Sequence, residues 1–369
     1  MELRKIIGPG LAVLVGIGLV GGLVFSAFNK QQHDRIQADA DSVVTVRGLV
    51  GSEKEAFYRD TRVVAAFKRL GLAVVVEKAG SREIVARPDL KSFDFGHPAG
   101  APAALKLQQA VKANRVFTPF YTPMAVASWR ALVPVLEANG LVKQRAGAYY
   151  IIDLTRLLQM IASGTRWREL KDNSVYDTGR AVLISSTDVR KSNSAAMYLA
   201  LASYLLNDSN VVQSDEEIRK VLPIASGLFL KQGFQEASSA GPFEDYVSMG
   251  IGKAPLVMVY EAQFLEYQSK LPQLNADMVL LYPQPTVFTK HVLVPLTPKG
   301  VRVGEALVND HELQRLAAEY GYRGADTAHF QSFLMQKKLF APASLVDVID
   351  PPSYETLEKM IEAIAVKFQ

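Results

Sequence analysis

The chain has 369 residues, a formal net charge of +4 at pH 7 and no cysteine. Hydrophobic residues make up 49% of it, which is enough to build the cores of two domains or of one two-lobed unit and too much for a disordered tail. The lack of cysteine excludes disulfides, thiolate metal sites, a cysteine nucleophile and attachment through a lipidated cysteine. The slight positive charge comes with no run of Lys or Arg, so we expect no nucleic-acid partner.

An uncharged stretch lies near the N-terminus, over residues 6–28, directly after two basic residues. Its ~23 residues would form a helix of roughly 34 Å, long enough to cross a hydrocarbon core of ~30 Å. A cleaved signal peptide is the alternative, but its apolar core would be shorter, and Phe25 and Phe28 flank the best available cleavage site. We therefore expect a transmembrane helix over 6–28 that contacts membrane lipid, preceded by a cytoplasmic tail over 1–5.

The orientation of this helix is inferred from the charges that flank it. The numbers of basic residues on the two sides of the stretch are nearly equal. A very short basic N-terminus before a long domain nevertheless favours a cytoplasmic N-terminus. We therefore expect a single-pass protein of the inner or plasma membrane. A linker over 29–42 would connect the helix to a soluble domain outside the cytoplasm.

Strand and helix patterns alternate from residue 43 onwards. One helix is well marked, because Asp60 is placed to cap it, apolar residues recur at three- and four-residue spacing, and Gly71 ends it. The order strand, helix, strand predicts right-handed parallel crossovers and an α/β sheet with helices on both faces. In this part of the chain we predict strands over 43–50, 72–77 and from 115 onwards, and helices over 61–70 and 102–113.

The same alternation restarts near residue 149 and continues to the end of the chain. We predict further strands over 149–152, 181–185, 255–260, 278–282 and 291–296. In the last of these, Pro295 indicates an edge or an end of the sheet. We predict further helices over 155–162, 195–206, 303–320 and 354–368. Ser353 is placed to cap the last helix.

No catalytic or metal-binding motif accompanies these elements. A G-x-G-x-x-G match over 16–21 lies inside the predicted transmembrane helix with no strand before it, so it is spurious. Gly252-Lys253 lacks the earlier glycine of a phosphate-binding loop, and no second histidine follows His311 at zinc-protease spacing. The five histidines are scattered, and no G-x-S-x-G is present. We therefore predict no enzyme, no metal site and no cofactor.

Small hydroxyl and amide residues recur where a predicted strand ends or a predicted helix begins. Ligands of open α/β sheets bind at the carboxyl ends of strands, where helix N-termini offer unpaired N–H groups. Ordinary helix capping is the alternative for any single one of these residues. Their occurrence in both halves of the chain favours a shared cleft. They are Ser52 and Ser81 in the first half, and Thr187, Ser192, Asn193 and Ser194 in the second.

Several of these segments resemble type II extracellular solute-binding proteins, especially the molybdate- and sulfate-binding type. The similar segments are 46–54, 80–83, 187–188 with 192–194, 249–261, and 282–288 before His291, within a span of roughly 43–325. The resemblance implies two α/β lobes that are joined by two chain crossings and close on a ligand by a hinge motion. The crossings would fall near 118–120 and 283–289. Lobe 1 would comprise 43–118 and 290–369, and lobe 2 would comprise 119–289.

We therefore expect an α/β, two-lobed, type II periplasmic-binding-protein-like fold preceded by one transmembrane helix. The protein would capture a small, oxygen-rich anionic ligand between its lobes, for the permease of an ABC-type importer, a sensor or another membrane protein. Arg82 and Arg190 would favour a carboxylate or larger anion. The alternative is a non-catalytic protein that reuses this fold to assemble a membrane complex, which a solid or apolar cleft would favour. The predicted ligand-binding residues are Ser52, Ser81, Arg82, Thr187, Ser192, Asn193, Ser194 and Tyr260.

Overall fold

The computed structural model describes residues 43–145, 149–233, 235–345 and 347–368. The predicted cytoplasmic tail, transmembrane helix and linker lie outside these residues, so all three stay predictions. No helix within the described ranges has both the length and the apolar character that crossing a bilayer requires.

Three strands and three helices form the first part of the described chain. In chain order they are β1 (Val44–Val50), α1 (Ser52–Arg59), α2 (Thr61–Arg69), β2 (Leu72–Lys78), β3 (Phe95–His97) and α3 (Ala101–Val111). We call them the first strand group. β1 lies between β2 and β3 and pairs in parallel with both. The predicted cap of α2 is confirmed, because the Asp60 carboxylate accepts a hydrogen bond from the Arg62 N–H.

The rest of the described chain contributes seven more strands and ten more helices. In chain order they are β4 (Phe117–Trp129), α4 (Val133–Ala138), β5 (Val142–Arg145), β6 (Tyr149–Ile152), α5 (Leu154–Ser163), α6 (Asn193–Leu206), α7 (Asp215–Leu230), α8 (Ala240–Met249), β7 (Val257–Tyr260), α9 (Glu261–Lys270), β8 (Met278–Pro283), β9 (Thr286–Pro295), α10 (Pro298–Asn309), α11 (His311–Glu319), α12 (Thr327–Lys337), β10 (Val348–Ile349) and α13 (Tyr354–Ala365). We call strands β5 to β8 and helices α4 to α9 the second strand group.

Two long strands connect these groups. β4 pairs with β9 in antiparallel orientation near its start and with β7 and β8 further along, while β9 reaches β3 at its other end. The strand order is β2-β1-β3-β9-β4-β8-β6-β5, with β7 beside β4 and β10 beside β9. The sheet is therefore mixed, with parallel pairs among β1, β2 and β3, between β6 and β8, and between β9 and β10. The predicted α/β class is confirmed.

Helices cover both faces of each strand group, as predicted. In the first group, Phe67 of α2 lies in the apolar cluster on one face and Leu107 of α3 in the cluster on the other. In the second group, Tyr198 of α6 lies in the apolar cluster on one face and Phe264 of α9 in the cluster on the other. Successive residues of a strand point to opposite faces, so central strands buried on both sides supply both clusters. Each large apolar side chain buried here stabilises the fold by about 1.5–3 kcal/mol.

The strand predicted over 181–185 is wrong. Ala181 forms one isolated bridge, to Arg166, and Ser185 forms another, to Val257. The residues between them have no partner strand among the described residues, so the apolar, β-branched composition of the segment produces extended chain without a ladder.

The single helix predicted over 303–320 is also wrong, because two helices occupy this region. α10 ends before Asp310, and the side chain of Asp310 accepts hydrogen bonds from the Glu312 and Leu313 N–H groups, which starts α11. The cap predicted at Ser353 is confirmed, since its hydroxyl accepts from the Thr356 N–H. Sequence patterns did not predict the strands β3, β5 and β10 or the helices α1, α4, α7, α8, α9 and α12.

The C-terminal helices divide between the two groups. α10 packs in the core of the first strand group through Val303. α13 contributes Leu357 to the core of the second strand group, while its first residue, Tyr354, contacts Lys106 of α3 in the first. The predicted division of the chain into two lobes stays a prediction.

Candidate functional site

A cavity of about 250 Å³ lies between the two strand groups, and we call it the hydroxyl compartment. The first strand group contributes Ser52, at the start of α1, and Ser81, in the turn after β2. The second contributes Asn193, at the start of α6, and Tyr260, at the end of β7. The cavity therefore lies at strand ends and helix starts, where the sequence places these polar residues.

Five of the eight predicted ligand-binding residues line this one cavity. They come from both halves of the chain, so the fold brings together residues that are more than a hundred positions apart. Their role in binding stays a prediction. They are Ser52, Ser81, Ser192, Asn193 and Tyr260.

Two more predicted residues, Thr187 and Ser194, lie behind the cavity wall. Both are almost fully buried. The Ser194 Oγ lies 2.9 Å from the Thr187 Oγ1 and 3.0 Å from the Ser192 Oγ, so the three hydroxyls form one hydrogen-bonded chain. This chain fixes the position of Ser192 at the cavity surface.

Ala99, in the loop between β3 and α3, links the two walls of the hydroxyl compartment. The Ser81 Oγ accepts a hydrogen bond from the Ala99 N–H at 2.9 Å, and the Asn193 Nδ2 donates to the Ala99 carbonyl oxygen at 3.3 Å. The Asn193 Nδ2 also lies 3.2 Å from the Tyr260 hydroxyl. Burial raises the pKa of Tyr260, so its hydroxyl stays protonated at neutral pH.

The hydroxyls at the cavity do not cap the helices beside them. Ser192 is the N-cap residue of α6 and Gly51 that of α1, and neither helix has a side-chain cap bond. By contrast, Asp60 caps α2 and Ser214 caps α7 through their side chains. The first-turn N–H groups of α1 and α6 therefore lack a side-chain acceptor, and these two helix starts border the cavity with their positive ends.

The arginines singled out in the sequence make ion pairs outside the lining of the cavity. Arg82 pairs with Glu358 of α13, and its Nε donates to the Arg190 carbonyl oxygen at 3.1 Å. Arg190 pairs with Asp188, with 2.6 Å between Nη2 and Oδ2. Neither arginine lines the hydroxyl compartment.

Lysines that sequence reasoning missed line the cavity instead. Lys78 and Lys191 are lining residues, together with Glu53 and Glu83. Each lysine lies within three residues of a predicted site residue, Ser81 or Ser192, and this proximity is the signal that would have found them.

A buried charged cluster lies directly behind Ser52. The side chain of Lys54 is 0% exposed, pairs with the Glu53 carboxylate and lies 3.0 Å from the His291 Nδ1 through its Nζ. Burial lowers the pKa of Lys54, and the neighbouring Glu53 carboxylate opposes this effect. Burial and the Lys54 charge hold the pKa of His291 well below its ordinary value.

His97, at the end of β3, extends this cluster. Its Nδ1 lies 2.8 Å from the Tyr58 hydroxyl, and its ring centroid lies 6.5 Å from that of His291. Burial and the charge of Lys54 also hold the pKa of His97 well below its ordinary value. The Nε2 atoms of both histidines are buried without a hydrogen-bond partner among the described residues. Within these residues no group of His, Cys, Asp and Glu is arranged to hold a metal ion.

A second cavity of about 250 Å³ adjoins the first, and we call it the aromatic compartment. The two cavities share Ser52, Glu53, Ser239 and Tyr260 as lining residues. The Oγ atoms of Ser52 and Ser238 lie 2.7 Å apart, so a direct hydrogen bond connects the two strand groups at this point.

Comparison with known proteins identifies the fold. No family model matches the chain, and no curated protein matches it as a relative. The sulfate-binding protein SubI from Mycobacterium tuberculosis H37Rv matches with a TM-score of 0.53 and 14% identity, over 81% of this chain and 93% of that one. Pasteurella haemolytica apo ferric ion-binding protein A matches with a TM-score of 0.56 and 12% identity, over 88% and 98%. A periplasmic thiamin binding protein matches with a TM-score of 0.55 and 9% identity, over 89% and 97%.

These likenesses establish the fold and no more, because the sequence identities are low. The chain has the mixed α/β fold of periplasmic binding proteins, which confirms that part of the prediction.

Proposed function

We propose that the protein is an extracytoplasmic solute-binding protein that captures a small, oxygen-rich anion in the hydroxyl compartment. The observation that carries this proposal is that both strand groups contribute polar side chains to one cavity. Ser52 and Ser81 come from one side, and Asn193 and Tyr260 from the other. The likeness to structures of sulfate-, ferric ion- and thiamin-binding proteins supports a binding function.

The donors around this cavity favour an anion. Hydroxyl and amide groups stabilise an oxyanion by hydrogen bonds, and a charge-assisted bond contributes roughly 1.5–3 kcal/mol. The starts of α1 and α6, which have no side-chain cap bond among the described residues, add first-turn N–H groups and partial positive charge. Lys78 and Lys191 bring positive side chains to the same cavity, which also has the carboxylates of Glu83 and of Glu53, the latter paired with Lys54, in its lining. This polar lining also supports a receptor over the alternative role in assembling a membrane complex.

We further propose that the ligand is enclosed by hinge closure of lobe 1 (43–118 and 290–369) on lobe 2 (119–289). Strands β4 and β9, which run between the strand groups, would carry the hinge. The helix over 6–28 would hold the protein at the inner or plasma membrane, where it would serve an ABC-type permease or a sensor.

The test begins with native mass spectrometry of the full-length chain as isolated, followed by calorimetry with sulfate, molybdate and phosphate. We expect one anion bound per chain. Asn193→Asp places a carboxylate beside the anion and should weaken binding at least about a hundredfold, because like charges in a desolvated site cost several kcal/mol. Asn210→Asp, an exposed position away from both cavities, is the matched control. Equal affinities for these two variants, or the absence of anion binding, would contradict the proposal.

A further inference from the structure

The aromatic compartment differs chemically from the hydroxyl compartment it adjoins. Five aromatic side chains line it, and four of them, Phe243, Tyr260, Tyr320 and Tyr322, are almost fully buried. Tyr267 completes the set, and its ring centroid lies 5.7 Å from that of Phe243 in an edge-to-face arrangement. Walls of this kind fit a flat organic group and offer little to a bare inorganic anion.

One polar atom of the lining residue Gln263 lacks a hydrogen-bond partner among the described residues. The Nε2 of Gln263 donates to the Ser239 carbonyl oxygen at 3.1 Å, which fixes the orientation of the amide because only its NH₂ end can donate. The Oε1 of Gln263 is then buried with no hydrogen-bond donor among the described residues. A buried acceptor without a donor is costly, so a ligand N–H group would complete it.

The charges in the aromatic compartment also favour a positively charged group. Three carboxylates line it, namely Glu53, which pairs with Lys54, Glu266, which pairs with the lining residue Lys270, and Glu244, which has no ion pair among the described residues. The Lys270 Nζ lies 5.0 Å from the Tyr320 ring centroid and 2.5 Å from the Glu266 Oε1. The compartment thus already holds one ammonium between a ring and a carboxylate, which is the arrangement that a ligand cation would use.

We propose that the ligand is bipolar, with an oxyanion in the hydroxyl compartment and a flat ring carrying a protonated amine or other N–H donors in the aromatic compartment. Ser52, Glu53, Ser239 and Tyr260 line both cavities, so the two ends of a molecule that extends past these residues would lie in adjoining cavities. The inference rests on the proposed function and narrows its ligand from small anions in general to organic zwitterions. Gln263 accepts from the N–H end, and the hydroxyl groups of Ser81 and Tyr260, which accept bonds from Ala99 and Asn193, donate to the oxyanion end.

Three matched probes test this inference on the full-length chain by calorimetry. 4-(Aminomethyl)benzoate carries both groups, benzoate lacks the amine, and benzylamine lacks the carboxylate. We expect the bipolar probe to bind at least about tenfold more tightly than either of the others, because each additional charge-assisted contact is worth about that factor. In the Gln263→Leu variant, 4-(aminomethyl)benzoate should lose most of its affinity advantage over benzoate. Ser163→Ala, on an exposed position of α5, is the control and should leave all three affinities unchanged.

The outcomes separate this inference from the proposed function. If the bipolar probe and benzoate bind equally, or if Gln263→Leu leaves their ratio unchanged, the inference is wrong. The proposed function would still hold in that case, provided that benzoate or an inorganic anion binds and that Asn193→Asp abolishes the binding. If no anion binds at all, the proposed function fails, and the inference fails with it.

Discussion

The two walls of the hydroxyl compartment are built on different chemical principles. Behind the wall of the first strand group, Glu53, Lys54 and His291 form a buried cluster of ionisable side chains. Behind the wall of the second, Thr187 and Ser194 form a chain of neutral hydroxyls. Both walls place polar groups at the same cavity. The charge of the first lies directly behind Ser52, whereas the groups bonded to Ser192 are neutral and the buried Glu261–Arg323 ion pair of the second group follows Tyr260 in the chain.

This difference determines how each wall responds to change. A neutral hydrogen bond contributes about 0.5–1.5 kcal/mol to stability. The protonation state of its partners does not change within the physiological pH range. A buried ion pair is costly to form and costlier to break, because the partner left behind remains desolvated. The first wall should therefore dominate effects on stability and pH dependence, while the second should act mainly on affinity.

The largest effect is expected for Lys54→Met. Removing the ammonium leaves the Glu53 carboxylate beside an apolar side chain, so the free energy of unfolding should fall by about 3–5 kcal/mol, measured by denaturant titration. The double variant Glu53→Gln with Lys54→Met should recover part of this loss. Lys191→Met, an exposed lysine at the same cavity, is the control and should change stability by no more than about 0.5 kcal/mol. If Lys54→Met and Lys191→Met lower the free energy of unfolding by similar amounts, the expected extra cost of breaking the buried Lys54–Glu53 pair is contradicted.

The second effect concerns affinity for the anion identified by calorimetry. Ser52→Ala and Tyr260→Phe each remove one hydroxyl that lines the cavity, and each should weaken binding by about one to two powers of ten. Ser163→Ala is again the control. If both variants bind the anion like the parent chain, the binding site lies elsewhere.

The second wall could largely be predicted from the sequence. The apolar run of α6 and the polar residues before it predict a helix start, and the position of that start defines where Ser192 and Asn193 lie. The same reasoning placed Ser52 and Ser81 at strand ends. Local patterns suffice here because each residue is fixed by the element that contains it.

The buried cluster behind the first wall could not be predicted, for two physical reasons. β3 has only three residues, too few for a periodic pattern, so nothing in the sequence indicated that His97 would lie beside His291. Lys54 lies in the charged run Ser52–Glu55, which reads as a solvated helix face. Its burial depends on how α1 packs against β9, and only the tertiary structure supplies that contact.

The smallest effect expected is a pH dependence of stability that originates in the first wall. His97 and His291 have pKa values well below the ordinary value, because burial and the Lys54 charge disfavour their protonation. The ionisable and polar groups that face them are Lys54, Glu53, Tyr58, Tyr260 and Tyr322. Unfolding exposes both histidines, which then bind protons below about pH 6.5.

The unfolded chain therefore binds more protons than the folded one in this range, and stability falls as the pH decreases. From pH 7 to pH 6 each histidine should contribute a loss of about 0.7 kcal/mol, because in the unfolded chain it goes from about one quarter to about three quarters protonated over this interval. His291→Gln should reduce the total dependence by that amount, His97→Gln should do the same, and the double variant should remove both contributions. Thermal unfolding followed at a series of pH values measures this. An unchanged pH dependence in the double variant would mean that the first wall does not titrate in this range, and the contrast between the two walls would then be limited to the Lys54–Glu53 pair.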